Sequence, residues 1–377
     1  MKKIKSFMMA ISAIALVATA FTSCGDDKVE TKVIDNMVSE YSFNDKLVAE
    51  KKAASGKKEA VLLVAFGSTW DNAFKAFDKT VSEYEKAFPN ADVYISFSSD
   101  ICINRARIGE NYDDNGNKVK RDYYEPRYLL HAIGNAKYDK IYVQSLQVIP
   151  GEEFAAVVAA VKKFMNNGYI KGSQLDDAYL KQLSLNENIR FGMPLLSDPE
   201  TDVPEVAQVL STLYSNEAQD GLVAFMGHGN PDTYDTFKAN VRYTELEVEL
   251  QKLNPKFFVG TVDMPDNYKQ DVEARMKNDG YTNGKVYLHA LMSIAGDHAH
   301  NDMAGEGTDY WDEADPTSED NSWLEYFNHT GYSSVVPVAG NHPQGLLELE
   351  GIRNIWIKHT KNAAFFEDAY HSMYPEE

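Results

Sequence analysis

The sequence predicts an α/β protein made of two duplicated halves, each a parallel sheet with helices on both faces. From Ala60 onward, near-continuous apolar runs alternate with segments of helical spacing, as expected of strands that are covered on both faces. A strand-and-loop segment that starts at Lys140 also recurs at Lys285, an offset of 145. In open sheets of this kind, ligands bind beyond the carboxyl ends of the strands.

The first half spans residues 59–200 and the second spans residues 201–377. In the first half, apolar runs predict strands, and apolar residues at helical spacing predict helices between them; residues 104–126 form a polar excursion. The predicted strands are 61–66, 92–97 and 140–148, and the helices are 71–88, 125–136 and 152–166. The second half repeats this order with strands at 221–226, 257–262 and 285–293 and helices at 241–252 and 267–279.

Composition limits the classes of partner. The 377 residues carry 37 basic and 57 acidic side chains, a formal net charge of −20. This acidity argues against nucleic-acid binding and against docking on anionic lipid through a charged face. With two cysteines, the chain can form neither a disulfide framework nor a four-cysteine zinc site.

The N-terminus predicts export. Within residues 1–23, three lysines precede an apolar stretch from Phe7 to Phe21, and small residues then lead to Cys24. This order resembles a bacterial lipoprotein signal, in which Cys24 becomes the acylated first residue. A plain secretory signal and an uncleaved anchor are the alternatives. We therefore expect an exported protein held by lipid to a bacterial membrane, the outer membrane in particular, facing the periplasm or the cell surface.

The segment after the signal is polar. Residues 24–58 predict a tether, with one short helix near 34–52. No apolar run beyond the N-terminus approaches the roughly 20 residues of a membrane span. Contact with the membrane is therefore expected through the N-terminal lipid alone.

The internal repeat has different residues at corresponding positions. Laying 140–153 over 285–298 gives five identities and four conservative pairs, and it sets His298 over Glu153. Setting Phe66-Gly67 on Met226-Gly227 places His228 over Ser68. The first half thus lacks both imidazoles, which assigns the chemistry to the second half and makes the first half the facing wall.

Three potential ligands follow strand ends in the second half. His228, Asp263 and His298 come after the strands 221–226, 257–262 and 285–293, so all three should point into one crevice. Two imidazoles and a carboxylate suit cobalt, nickel, iron or zinc and leave coordination positions open.

Each residue also has a structural alternative when it is taken alone. His228 would be a hydrogen-bonded turn residue and Asp263 a helix cap before Pro265, while His298 and His300 would lie in a solvated loop. Two other histidines, His131 and His289, are predicted to pack inside the fold. The remaining ones are predicted on the surface or late in helices: His329, His342, His359 and His371.

Four motifs resemble those of the anaerobic sirohydrochlorin cobaltochelatases of the CbiK type. They are residues 148–153, 226–229, 259–263 and 295–305, and the resemblance covers about residues 60–360. It implies a class II chelatase fold, in which two flavodoxin-like halves enclose a tetrapyrrole cleft. It also implies insertion of Co²⁺ into the tetrapyrrole without ATP, with Fe²⁺ or Ni²⁺ as alternative metals.

The motifs assign roles to individual residues. By resemblance, His228 matches the base that also contacts the metal, and His298 matches the second metal-binding histidine. Asp263 stands where the family usually has Glu, which leaves the carboxylate one methylene shorter. The acidic stretch 307–320 is longer than its equivalent in the family. Ser68, Arg105 and Glu153 on the first half are candidate tetrapyrrole contacts, with Arg107 a further candidate.

The chemistry agrees with these residues. Metal insertion removes two pyrrole N–H protons, which a neutral imidazole can accept. Two alternatives remain: an exported carrier of haem or another tetrapyrrole, serving haem or metal scavenging, and an inert surface lipoprotein. Export and Asp263 favour the carrier, whereas the two histidines favour the enzyme. Formation of a homo-oligomer is left open.

Overall fold

The computed structural model describes residues 37–107, 111–112, 118–119, 122–168, 170, 174–306 and 311–375. Residues from Val38 onward form one compact unit. The predicted signal at residues 1–23 and Cys24 lie outside the described residues. Within the described ranges, no helix has the length and apolarity that crossing a bilayer would need.

Strands and helices alternate along the chain as the sequence predicts. The strands are β1 Glu59–Ala65, β2 Ala91–Phe97, β3 Asn111–Tyr112, β4 Lys118–Val119, β5 Lys140–Ser145, β6 Ile189–Gly192, β7 Leu222–Gly227, β8 Phe257–Thr261, β9 Gly284–Leu291, β10 Tyr332–Val335, β11 Val338–Ala339, β12 His342–Pro343 and β13 Ala364–Phe365. The helices are α1 Met37–Ser55, α2 Asp71–Ala87, α3 Asp100–Arg107, α4 Pro126–Asn135, α5 Glu152–Met165, α6 Asp177–Leu185, α7 Asp202–Leu213, α8 Ser215–Asp220, α9 Val241–Leu253, α10 Lys269–Asn278, α11 Trp323–His329, α12 Glu350–Lys361 and α13 Phe366–Met373.

Two main sheets confirm the predicted fold class. The first has the order β13-β6-β5-β1-β2, and its strands are parallel except for β13. The second has the order β10-β9-β7-β8 and is parallel throughout. In each sheet the long apolar strand of the repeat, β1 or β7, lies between two parallel neighbours, and this central position explains its nearly complete burial.

Alternate residues of the central strands face different apolar cores. On β1, Leu62 and Val64 belong to a core under α4 and α5, whereas Val61 and Leu63 point the other way. That second core continues into the other half and includes Phe225 of β7. A third cluster lies on the far face of the second sheet, under α10 and α11. The two halves therefore share one continuous core between their sheets.

The offset-145 repeat is confirmed by the backbone. The Gly151 N–H donates to Ile149 O, and the Gly296 N–H donates to Ile294 O. The bonds from Ala155 to Gly151 and from His300 to Gly296 correspond in the same way. In two further pairs the accepting carbonyls also differ by 145: Gln147 and Met292 accept from Leu195 and Leu346, and Val148 and Ser293 accept from Leu196 and Leu347. The two loops that follow β5 and β9 are therefore equivalent.

The predicted overlay of His228 on Ser68 is wrong by two residues. In the sheets, Tyr142 pairs with Val61 and its equivalent Tyr287 pairs with Val223, so the true offset is 223 − 61, or 162. His228 therefore corresponds to Phe66. A slip of two residues keeps every side chain on its own face, so the apolar pattern alone did not detect it.

The glycines after these strands support the corrected register. Gly67 and Gly229 are equivalent at an offset of 162, and both have positive φ, of 113° and 79°. A Cβ at Gly229 would lie 2.7 Å from the backbone nitrogen of Met264, so a larger residue would displace the loop. Ser68 then corresponds to Asn230.

The end of the chain departs from the predicted division at residue 201. Residues 350–373 return to the first half, where β13 pairs antiparallel with β6. The Thr360 hydroxyl donates to Gln144 Oε1 at 2.7 Å, and the Phe366 ring packs against Phe191. The returning segment covers the edge of the first sheet that β6 would otherwise expose.

The predicted tether also differs from the structure. Helix α1 covers residues 37–55, close to the predicted short helix, but it packs on the first half. Lys51 Nζ donates to Val93 O at 2.9 Å, Lys52 Nζ to Ala136 O at 2.6 Å, and Ser55 Oγ to Asp92 at 2.8 Å. Val48 of α1 is fully buried in the core under α4 and α5. Polar groups and lysine stems make much of the remaining attachment, so an apolar pattern did not reveal it.

Candidate active site

The three predicted ligands come from adjacent strands. His228 directly follows the central strand β7, Asp263 lies two residues beyond β8, and His298 opens a π-helical turn, His298–Met303, after β9. Because β8 and β9 flank β7 on either side, their carboxyl ends bring the three side chains to one edge. About one third of each side chain is exposed.

The distances confirm that the three residues meet. The imidazole rings of His228 and His298 lie 4.8 Å apart between centroids, at an interplanar angle of 82°. Asp263 Oδ2 lies 3.7 Å from His228 Nδ1. The backbone supports this arrangement, since the Asp263 N–H donates to His228 O at 2.8 Å.

Both imidazoles offer the same nitrogen to a ligand. His228 Nδ1 lies 2.7 Å from Gly229 O, and His298 Nδ1 lies 2.5 Å from Asp302 Oδ2. A carbonyl and a carboxylate oxygen only accept, so Nδ1 carries the proton in both rings and Nε2 keeps its lone pair. An oriented imidazole of this kind is the usual form of a metal-binding histidine.

Asp263 lies on the Nδ1 side of the His228 ring and not on the Nε2 side that is open to a ligand. Its carboxylate is too far from Nδ1 for a hydrogen bond. In the described part of the chain, no three His, Cys, Asp or Glu side chains have the arrangement of a ready-made metal site. The two imidazoles are therefore preorganised, whereas Asp263 must advance to share a metal with them.

The surroundings of His298 are acidic. Burial disfavours the charged ring, but the hydrogen bond to Asp302, the negative charge of that carboxylate and the charges of Asp263 and Asp297 outweigh burial and raise the pKa of His298 above its usual value. Only the neutral ring offers Nε2 to a metal, so a proton and a cation compete for that nitrogen. The same negative field attracts a divalent cation.

The first half presents different chemistry at the corresponding positions. Ser99 N–H donates to Phe66 O at 3.0 Å, just as Asp263 N–H donates to His228 O. The counterparts of His228, Asp263 and His298 are therefore Phe66, Ser99 and Glu153. Phe66 is 42% exposed at the end of a buried strand. The first half thus provides an aromatic side chain and a carboxylate but no imidazole.

In each half, a loop glycine lies close to the same equivalent position of the other half. A Cβ on Gly296 would lie 3.7 Å from Ser68 Oγ, and a Cβ on Gly151 would lie 2.6 Å from the Asn230 side chain. The Glu152 N–H donates to Asn230 Oδ1. Burial and the neighbouring Glu153 raise the pKa of Glu152, and His228 opposes this shift.

The candidate tetrapyrrole contacts differ in accessibility. Ser68 is 4% exposed, and its hydroxyl accepts the N–H of Trp70, so it supports the turn more than it faces a ligand. Glu153 is half-buried at the start of α5. Arg105 lies in α3, but its side chain is outside the described part of the structure. Arg107 bonds Tyr123 O and lies over the Tyr124 ring.

Sequence reasoning missed the residues that support His298. Asp302 lies four residues away on the same turn, a spacing that the sequence shows and that indicates contact. The prediction of a solvated loop is wrong for His300, which is 2% exposed and stacks on Trp70. Nothing in the sequence pattern indicates a stack between residues 230 positions apart.

The other histidines lie where the sequence predicts, and two half-buried ones among them also contact a carboxylate. His131 and His289 are buried, as expected, and His329 and His371 are exposed. His342 and His359 are half-buried and form ion pairs with Glu348 and Asp202.

The acidic stretch is attached to the second half. Lys269 is buried and donates to Ser318 O at 2.5 Å and to Asn321 O at 2.6 Å. Burial lowers the pKa of Lys269 to about 8, although Asp302 and Asp315 oppose this shift. The backbone at Ser318 and Asn321 is thus held by the buried Lys269 side chain.

Two α/β halves around a strand-end pair of imidazoles define a metal chelatase. The chain belongs to the cobalt chelatase (CbiK) family, whose model matches residues 59–365. It is 28% identical over 305 residues to the sirohydrochlorin cobaltochelatase CbiKC of Nitratidesulfovibrio vulgaris, covering 80% of this chain and 89% of that protein. It is 27% identical over 307 residues to the sirohydrochlorin cobaltochelatase of Salmonella typhimurium, covering 81% and 96%.

A solved structure of similar extent is SirB from Bacillus subtilis with Fe³⁺. The match has a TM-score of 0.47 and 14% identity, and it covers 83% of this chain and 98% of SirB.

Proposed function

We propose that this chelatase inserts Co²⁺ into sirohydrochlorin or a closely related tetrapyrrole without ATP. The observation that carries the proposal is the pair of imidazoles at 4.8 Å whose Nε2 atoms are both free to bind. Two relatives named as sirohydrochlorin cobaltochelatases support the choice of metal and substrate.

The two histidines have different roles in the reaction. His298, oriented by Asp302, holds the incoming ion and leaves other positions open for pyrrole nitrogens. His228 Nε2 accepts a pyrrole proton as the metal–nitrogen bonds form. The carboxyl of Glu152 interacts electrostatically with His228. The two pyrrole protons leave in succession through His228.

The aromatic side chain on the opposite wall binds the macrocycle. Phe66 occupies the position of His228 in the other half, and its side chain is exposed directly after the six buried residues 60–65 of β1. A tetrapyrrole between the halves would lie with one face towards the imidazoles and the other towards this ring. Stacking on a ring of this kind stabilises by about 0.5–1.5 kcal/mol beyond area burial.

We predict that Phe66→Ala weakens tetrapyrrole binding about tenfold and leaves Co²⁺ affinity unchanged, because lost stacking and lost apolar area together correspond to about 1–2 kcal/mol. Fluorescence titration with the tetrapyrrole and calorimetry with Co²⁺ measure the two affinities separately. Leu185→Ala, at an exposed apolar residue on α6, serves as the control. An unchanged tetrapyrrole affinity in Phe66→Ala would remove this residue from the cleft.

A second prediction concerns the reach of Asp263. Asp is shorter than Glu by one C–C bond, about 1.5 Å, and metal–oxygen bonds tolerate only a few tenths of an ångström. We therefore predict that Asp263→Glu raises Co²⁺ affinity or the insertion rate and that Asp263→Ala lowers both. Calorimetry with Co²⁺ tests this on both variants. If Asp263→Ala binds Co²⁺ as tightly as the unmodified protein, Asp263 is a structural residue and not a ligand.

The insertion reaction is tested by anaerobic incubation of the purified protein with sirohydrochlorin and Co²⁺. The expected result is an absorbance change faster than the spontaneous reaction, and parallel runs with Fe²⁺ and Ni²⁺ rank the metals. A rate equal to that without protein would reject the insertion reaction.

The second candidate is an exported carrier of haem or another tetrapyrrole. The N-terminal signal pattern favours it, since corrin synthesis is expected in the cytoplasm, and the short Asp263 favours it too. A carrier would bind haem tightly and stoichiometrically while Asp263→Glu left that binding unchanged. Haem titration beside the insertion assay separates the two candidates.

For location, we propose that residues 1–23 direct export and that Cys24 is acylated, which anchors the protein to the outer membrane. The basic, apolar and small residues in succession support this. In cells fed a labelled fatty acid, the protein should carry label in the membrane fraction, and Cys24→Ala should lose the label. Label retained by Cys24→Ala would reject lipidation at this residue.

A further inference from the structure

A tryptophan of the first half reaches across to the loop that carries His298. Trp70 precedes α2 on the first half. Its Nε1–H donates to Asp297 Oδ1 at 2.5 Å. Its indole stacks on the His300 imidazole at 3.6 Å between centroids, with an interplanar angle of 1°. The two partners of Trp70 lie on either side of His298 in the sequence.

The turn that carries His298 needs such support. It is π-helical, a form that occurs mostly as single turns and often at functional sites. The Ala299 and His300 N–H groups both donate to Gly296 O, at 3.0 and 3.1 Å. Side-chain contacts, including the two that Trp70 makes, add to these backbone bonds in setting the orientation of the turn.

His300 depends on the stack for its position. The residue is 2% exposed, and its Nδ1 lies 2.8 Å from Glu306 Oε2. Within the residues that the structure describes, its Nε2 is buried and has no hydrogen-bond partner. A polar ring buried with one of its two nitrogens unsatisfied carries a desolvation cost. Contact with the face of the Trp70 indole offsets part of that cost and fixes the plane of the ring.

We propose that Trp70 is a positioning residue for metal binding, acting through Asp297 and His300 to hold His298 with its Nε2 directed at the site. The inference rests on the proposed function, because it concerns the same metal. Trp70 also lies four residues after Phe66. One short segment of the first half therefore presents the exposed aromatic wall and fixes a metal ligand of the second half.

The chain contains a matched control. Trp311 stacks on His329 at 4.0 Å, with an interplanar angle of 7°. Both of these residues belong to the second half, and His329 is exposed at the end of α11. This stack resembles the Trp70–His300 stack in chemistry, but it does not join the two halves.

The test measures Co²⁺ affinity by calorimetry and the visible absorption spectrum of bound Co²⁺ in the unmodified protein and in the variants Trp70→Ala, Trp70→Phe and Trp311→Ala. Loss of a group that orients a ligand costs about 10- to 100-fold in metal affinity. We expect about a tenfold loss and an altered spectrum for Trp70→Ala. Trp70→Phe keeps a stacking ring but loses the bond to Asp297, so a smaller loss is expected. Trp311→Ala should match the unmodified protein. Thermal midpoints of all variants separate stability from positioning.

Four results would overturn the proposal. If Trp70→Ala binds Co²⁺ with unchanged affinity and spectrum, Trp70 does not position the ligand and the proposed function stands. If Trp70→Ala and Trp311→Ala lose affinity equally, the role of Trp70 is structural only. If the unmodified protein binds no Co²⁺, the proposed function fails together with this inference. Should Trp70→Ala not fold, Trp70→Phe decides, and an affinity and spectrum equal to those of the unmodified protein would overturn the proposal.

Discussion

Replacing His228 by alanine is expected to slow cobalt insertion by about 10²–10⁴-fold, the usual contribution of a positioned general base. The Gly229 carbonyl fixes the His228 tautomer and leaves Nε2 free to accept a proton. Alanine removes that acceptor, and water in the resulting gap is a poor substitute because it is neither oriented nor basic enough. Single-turnover insertion, followed by absorbance at saturating tetrapyrrole, measures the chemical step.

The control for this experiment is His329→Ala, which removes an exposed imidazole at the end of α11 and should leave insertion unchanged. Tetrapyrrole affinity must be matched between the variants, so that weaker binding is not mistaken for slower chemistry. Insertion at the unmodified rate by His228→Ala would show that another group accepts the protons, and the carrier hypothesis would then gain support.

Replacing Asp302 by alanine is expected to weaken Co²⁺ binding by about 10- to 100-fold, because a carboxylate that bonds a metal-binding imidazole both orients the ring and strengthens it as a ligand. Asp302 accepts the Nδ1–H of His298 at 2.5 Å on the same turn. Without it, His298 loses its fixed tautomer and part of the negative field around it. Calorimetry with Co²⁺ measures the change.

Glu217→Ala provides the matched comparison. Glu217 bonds the Nε2 of the buried His289 at the same distance of 2.5 Å, but His289 packs beside Tyr214 and is not one of the three candidate ligands. Its loss should lower thermal stability and leave Co²⁺ affinity unchanged. Equal losses of affinity in Asp302→Ala and Glu217→Ala would mean that the effect is general destabilisation.

The sequence predicts the strands and the meeting of the ligands well because both depend on local pattern and parallel topology. The apolar runs of β1 and β7 are long enough to identify buried strands. Once the strands are parallel neighbours, their carboxyl ends lie at one edge. His228, Asp263 and His298 therefore come together without further information.

Register and long-range packing are not contained in the same pattern. An apolar residue followed by Gly occurs at both 66–67 and 226–227, and the two-residue slip between them alters no side-chain face. Hydrogen bonding between the strands determines the correct register and makes Phe66 the equivalent of His228 in the repeat.

The Trp70–His300 stack depends on how two separate halves dock. Residues 350–373 likewise return to the first sheet through contacts between segments that are distant in sequence. Dividing the chain into two consecutive halves could not predict this return. By contrast, the sequence does show Asp302 four residues after His298. This spacing indicates contact between the two side chains, but the prediction did not assign Asp302 the role of orienting His298.

The paired imidazoles are expected to make this chain a catalyst of metal insertion and not a stoichiometric binder. This is tested by counting turnovers under anaerobic conditions, with Co²⁺ and sirohydrochlorin both in large excess over the purified protein. A catalyst converts many equivalents of tetrapyrrole per protein, and the His228→Ala variant converts them far more slowly. Conversion that stops at one equivalent per protein, or that proceeds at the spontaneous rate, would contradict the claim.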